Sequence, residues 1–152
     1  MKRIVIISIA VIVLIQLIPV NRDNPATDPS SEIKLDGEVK LIVQTACYDC
    51  HSNNTKWPWY SYVAPVSWLV SYDVSQGRDE INFSMWNTYP QKRINRKLTE
   101  IAEQVEEGKM PLPKYVIMHS EADLDESQRK VLINWAKGNM ETTQPDTSAN
   151  ME

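Results

Sequence analysis

Residues 36–51 read DGEVKLIVQTACYDCH, and that stretch decides the fold. Val39, Ile42, Val43 and Ala46 recur at i, i+3, i+4 and i+7, one face of an amphipathic helix beginning near Asp36. The helix runs directly into Cys47. Two further helices follow from the same periodicity. In residues 93–108, RINRKLTEIAEQVEEG, the stripe is Ile94, Leu98, Ile101, Ala102 and Val105, and Gly108 stands where a helix-ending glycine belongs. In residues 125–138, DESQRKVLINWAKG, Asp125 and Gln128 have capping-box spacing, Leu132, Trp135 and Ala136 form the apolar face, and Gly138 closes the helix. A shorter helix is expected from Pro65, carrying Val66, Leu69 and Val70. No segment alternates with period two, and five prolines (Pro58, Pro65, Pro90, Pro111, Pro113) punctuate the connections, so the fold class is all-α.

Cys47-Tyr48-Asp49-Cys50-His51 is C-x-x-C-H, the attachment pattern of a c-type haem. The spacing has a physical reason. Two thiols must meet the two vinyl groups along one edge of a porphyrin while the adjacent imidazole swings under the ring to the iron, and one helical turn meets all three demands. These are the only cysteines in the chain. A redox dithiol would want a βαβ surround that the sequence lacks, and a disulfide between cysteines three apart would close too short a loop to stabilise much. A zinc site would have to consume Cys47, Cys50, His51 and His119 together. His51 is therefore the expected iron ligand on one side. On the other, Met110 leads, set in Gly108-Lys109-Met110-Pro111 directly after a helix; a thioether opposite a histidine raises the potential of cytochromes c. His119, Met118 and Met85 are its rivals.

Trp57, Trp59, Tyr60, Tyr62, Trp68 and Trp86 crowd the sequence after the motif. Most are expected in the core, but an indole N–H or phenol O–H among Trp57, Trp59 and Tyr60 is suited to bond a haem propionate, whose burial without donors is costly. A backbone carbonyl near Pro58 or Pro65 is expected to orient His51 through its second ring nitrogen. Lys92, Arg93, Arg96 and Lys97, with Lys109 and Lys114, read first as a solvated face and second as a rim steering an acidic redox partner.

The chain has 152 residues, 42% hydrophobic and 24% charged, enough for one domain and too apolar for wholesale disorder. Its net charge of −4, more acidic still without Lys2 and Arg3, speaks against nucleic-acid binding. Met1-Lys2-Arg3 followed by the apolar run 4–18 has the pattern of an export signal or uncleaved anchor. The expected organisation is a membrane-spanning signal anchor over 1–20, a solvated linker over 21–34, a haem-binding domain over 35–139 and a disordered polar tail over 140–152. The implied location is the inner membrane, facing the periplasm, or the periplasm itself if the signal is cleaved.

The layout resembles class I cytochromes c: a helix into C-x-x-C-H, a G-x-M-P loop, then L-D-x-x-Q…L-x-x-W in a last helix. More narrowly it is similar to the bacterial haem-binding domain family, on CYDCHSNNTKWPWYSYVAPVSWLV, GRDEINFSMW and MPLPKYVIMHSEADLDESQRKVLINWA, roughly residues 36 to 137. The resemblance implies haem c held by Cys47 and Cys50, iron on His51, and a small cytochrome c-like helical domain. The function expected is one-electron transfer to redox partner proteins. A haem-based sensor with a displaceable sixth ligand comes second. An enzyme such as a peroxidase comes last, for want of a distal acid–base residue other than His119.

Overall fold

The computed structural model describes residues 1–140. They form seven α-helices linked by 3-10 turns, with no strand among the described residues, so the fold of these residues is all-helical. The tail expected over 140–152 lies, Met140 apart, outside the described residues. The chain divides into two units: Met1–Lys34 with Val43–Asn87, and Leu35–Ile42 with the residues from Thr88 onward.

Helix α1 spans Lys2–Ile15, 14 residues, and none of its side chains is buried. At about 1.5 Å per residue it reaches roughly 21 Å, against a hydrocarbon layer of about 30 Å. No helix among the described residues is long and apolar enough to cross a membrane. This overturns the membrane-spanning anchor over 1–20 and the inner-membrane, periplasm-facing placement built on it. The physical reason lies at Gln16. Its Nε2 donates to Ile12 O at 2.9 Å and to Ala64 O at 3.2 Å, and its Oε1 accepts from Ala64 N at 2.9 Å. The amide turns the chain out of helix and ties it down before the apolar run is finished.

Helix α2 (Gly37–Ala46) is the expected helix into the motif, with Ile42, Val43 and Ala46 buried. Helix α3 is the single turn Tyr48–His51. Helix α4 covers Val66–Glu80, far longer than foreseen, with Pro65 preceding it as the N-cap residue. Its buried positions are Ser67, Val74 and Gly77. Val66 and Leu69, expected to face inward, are exposed.

In the second unit, helix α5 (Gln91–Glu106) and helix α7 (Glu126–Gly138) pack on each other, burying Leu98, Ala102, Val105, Leu132 and Ala136. Gly108, at φ 67°, lets the chain leave α5 so that Lys109 N and Met110 N both return to Gln104 O, at 2.9 and 3.1 Å. Helix α6 is the short Pro113–Val116. The capping box at α7 is complete: Gln128 N donates to Asp125 Oδ1 at 2.8 Å and Asp125 N to Gln128 Oε1 at 3.0 Å. Asp125→Ala is expected to cost about 1 kcal/mol, read as a lower urea midpoint with an unchanged slope. Gly138 is the last helical residue, and Asn139 takes the C-cap position.

Candidate functional site

Cys47 is the hinge of the motif. Its N–H donates to Val43 O at 3.0 Å, completing α2, while its carbonyl accepts from Cys50 N at 3.2 Å and His51 N at 2.9 Å, opening α3. Both cysteines are free thiols on one helical turn. Removal from water, and then the neighbouring Cys50, push the Cys47 thiol up to about 12. Redox-active dithiols need the opposite shift, because the thiolate is the nucleophile. Among the described residues no three His, Cys, Asp or Glu side chains are grouped to hold a metal ion, which leaves the four-ligand zinc reading without support.

The imidazole of His51 is held in one orientation. Its Nδ1 lies 2.8 Å from Gly77 O and 3.3 Å from Ile81 O. Both partners are carbonyl oxygens, so Nδ1 carries the proton and the lone pair is placed on Nε2, the tautomer a metal ligand requires. The orienting carbonyls thus come from the end of α4, not from the neighbourhood of Pro58 or Pro65. Gly77 is there for a steric reason: a Cβ built on it would stand 2.5 Å from Cys50 O and 3.0 Å from Cys50 C. Only bare backbone lets α4 approach the motif turn this closely.

Phe83, in the 3-10 turn Phe83–Thr88, braces the motif from another side. Its ring stacks on Tyr48 at 5.7 Å and on Trp86 at 6.0 Å, and meets His51 edge-on at 6.4 Å. Beneath lies a polar lattice. Asn82 Nδ2 donates to Asn53 Oδ1 at 2.8 Å, Asn53 N to Ser84 Oγ at 3.0 Å, and Ser84 N to Asn82 Oδ1 at 3.0 Å. Because Asn82 follows Ile81 directly, this lattice fixes the backbone that presents the second carbonyl to His51. Gly77, Ile81, Phe83, Asn53, Asn82 and Ser84 are site residues that sequence reasoning did not single out. A lone glycine late in a helix and a dense Asn-Phe-Ser run were the only hints.

Residues 21–34, whose composition reads as solvated linker, form a strap hydrogen-bonded to this region. Asn24 Nδ2 donates to Thr55 O at 2.9 Å, Asn53 Nδ2 to Thr27 Oγ1 at 2.8 Å, and Ile33 N to Phe83 O at 2.9 Å. Arg78 knits strap and loop together, reaching Ser52 O, Asp23 O, Asn24 Oδ1 and Thr55 Oγ1, each at 2.8 Å. Burial, then the negative charge and hydrogen bond of Glu32, hold the Tyr48 phenol well above its ordinary value.

The aromatic candidates separate. Trp57 has its Nε1 buried with no hydrogen-bond partner. Trp59 is 74% exposed and meets Tyr60, itself half-buried, edge-on at 5.8 Å. Of the candidate sixth ligands, Met110 is half-buried in the second unit and Met118 is 53% exposed. His119 stacks on Tyr115 at 4.2 Å with Nδ1 3.1 Å from Glu121 Oε1, and Met85 is half-buried in the first unit. The basic run does not project as a block. Lys97 is 5% exposed and paired with Glu100 Oε2 at 2.6 Å, and Arg93 lies 4.0 Å over the Tyr89 ring.

The helical chain thus holds one imidazole with its proton on Nδ1 beside two free thiols, an arrangement suited to a metal-bearing prosthetic group. The chain belongs to the haem-binding domain family, which matches residues 10–138. No curated protein and no solved structure matches it. The residues present fit the family's group: His51 with its proton on Nδ1 would offer Nε2 to an iron, the two free thiols would reach a porphyrin edge, and the buried Trp57 Nε1 lacks an acceptor.

Proposed function

We propose that the chain holds its haem covalently through Cys47 and Cys50, ligates the iron with Nε2 of His51, and serves one-electron transfer to protein partners. The observation that carries this reading is the 2.8 Å bond from His51 Nδ1 to Gly77 O, in the same turn as the two thiols. Cys47 and Cys50 would hold the haem through thioethers, each Sγ–H adding across one vinyl double bond, a step that would need no external oxidant. When bound, the haem supplies the one-electron couple. The chain's own residues do the rest. Gly77 and Ile81 hold the imidazole and strengthen its donor character, which favours the oxidised state. Phe83 shields one side of the imidazole from water.

Met110 is the proposed sixth ligand, and Lys92, Arg96, Lys109 and Lys114, all exposed, are cations able to steer an acidic redox partner. Met110→Ala is expected to remove the methionine-to-iron absorption near the red end of the spectrum and to open the iron to carbon monoxide. An unchanged spectrum removes Met110 from the site. A wild-type protein that lacks the band and binds carbon monoxide readily supports the sensor reading in place of the carrier.

A further inference from the structure

The indole of Trp57 is the anomaly of the site. A buried N–H left without an acceptor costs about 1–3 kcal/mol, and such groups in a folded chain call for a reason. Yet the loop that carries it is heavily bonded. Asn54 N donates to Ser52 Oγ at 3.0 Å, Thr55 Oγ1 to Asp49 O at 2.7 Å, and Lys56 N to Asp49 Oδ1 at 3.0 Å. Each residue up to Trp57 is thus pinned, and two of the pins are on Asp49, which lies between the two attachment cysteines. The backbone leading to the indole is held in place, and its N–H still lacks an acceptor. Arg78, whose guanidinium bonds Thr55 Oγ1, adds positive charge to the same loop and suits it to an anion.

We propose that Trp57 donates its indole N–H to a haem propionate and that Asp49 is the positioning residue that holds the loop for it. This rests on the reading of covalent haem at Cys47 and Cys50, and it selects Trp57 over Trp59, whose exposed ring leaves no buried donor to satisfy. Asp49 couples the two ends of the group: the motif that grips the vinyl edge also sets the donor for the carboxylate edge.

The test uses holoprotein matured with haem-attachment machinery, with resonance Raman spectra of the propionate bending mode in H2O and D2O. Trp57→Phe is expected to shift that mode and abolish its isotope sensitivity, while Trp59→Phe leaves both as in the wild type. Asp49→Ala is expected to reproduce the Trp57→Phe change and Asp49→Asn, which keeps an Oδ1 acceptor, to restore the native mode. A mode unaltered in Trp57→Phe overturns the proposal while covalent haem stands; a wild-type chain with no haem on a denaturing gel overturns both. Should Trp57→Phe fail to fold, indole-15N labelling of the reduced wild type decides. The Trp57 N–H is expected to exchange at least tenfold more slowly than in the haem-free Cys47→Ser/Cys50→Ser chain, and equal rates overturn the proposal.

Discussion

Gly77→Ala is expected to lower both the stability of the chain and its yield of haem-bearing protein, against the usual gain from alanine in a helix. Alanine in place of a mid-helix glycine is ordinarily worth about 1 kcal/mol. Here the new Cβ would lie 2.5 Å from the carbonyl oxygen of Cys50 and 3.1 Å from its Cβ. The obstructing atoms are the backbone carbonyl and the Cβ of Cys50, which cannot rotate away as a side-chain tip would. Overpacking of this kind costs about 1–3 kcal/mol and sometimes more; the upper end applies, leaving a net loss of about 2 kcal/mol. That corresponds to a fall in Tm on the order of 8 °C for a domain of this size. The same shift pulls Gly77 O away from His51 Nδ1, so haem-stained gels are expected to show several-fold less attached haem. A melting temperature at or above wild type, with haem yield unchanged, would show that the helix and the turn are not in tight contact.

The second large effect is chemical. Cys47→Ser/Cys50→Ser is expected to abolish covalent haem, with no stain surviving a denaturing gel, while each single variant keeps one thioether. The fold should survive, because neither cysteine is in a disulfide. Replacing the half-buried Cys47 thiol by a hydroxyl costs about 1 kcal/mol at most, less than the loss expected at Gly77. Haem that stays covalently attached to the double variant would refute attachment through these two thiols.

Where local physics and tertiary structure agree, the fold could be read from the sequence. Helices α2, α5 and α7 follow from apolar spacing, the capping box at Asp125 and the left-handed Gly108. The start of helix α4 at Pro65 was legible, but its length and inward face were not, because the buried positions are Ser67, Val74 and Gly77, chosen for close approach rather than hydrophobicity, while Val66 and Leu69 face outward. Helix α1 was overread: an apolar composition states what a segment could cross, not how long the helix is, and Gln16 ends it early. At the site, the C-x-x-C-H spacing was visible because all its parts are local. The acceptor for His51 was not, because Gly77 lies 26 residues away and acts through a backbone atom that no residue type advertises. Likewise, composition marks Trp57, Trp59 and Tyr60 alike as donors, and only burial separates them.

The strap over residues 21–34 bears on where a shortened version of this protein can begin. Composition places the boundary at Leu35, after the last polar, proline-bearing stretch. A chain cut there would lose the Thr27 acceptor of Asn53 and two of the four acceptors of Arg78, Asp23 O and Asn24 Oδ1. It would also take the Ile33 donor from Phe83 O and both acceptors, Ser30 O and Glu32 O, from Asn87 Nδ2. Truncation before Asn21 keeps all of these. A fragment starting at Asn21, fourteen residues ahead of Leu35, gives up the Gln16–Ala64 pair but keeps these bonds, and it is expected to melt higher than one starting at Leu35.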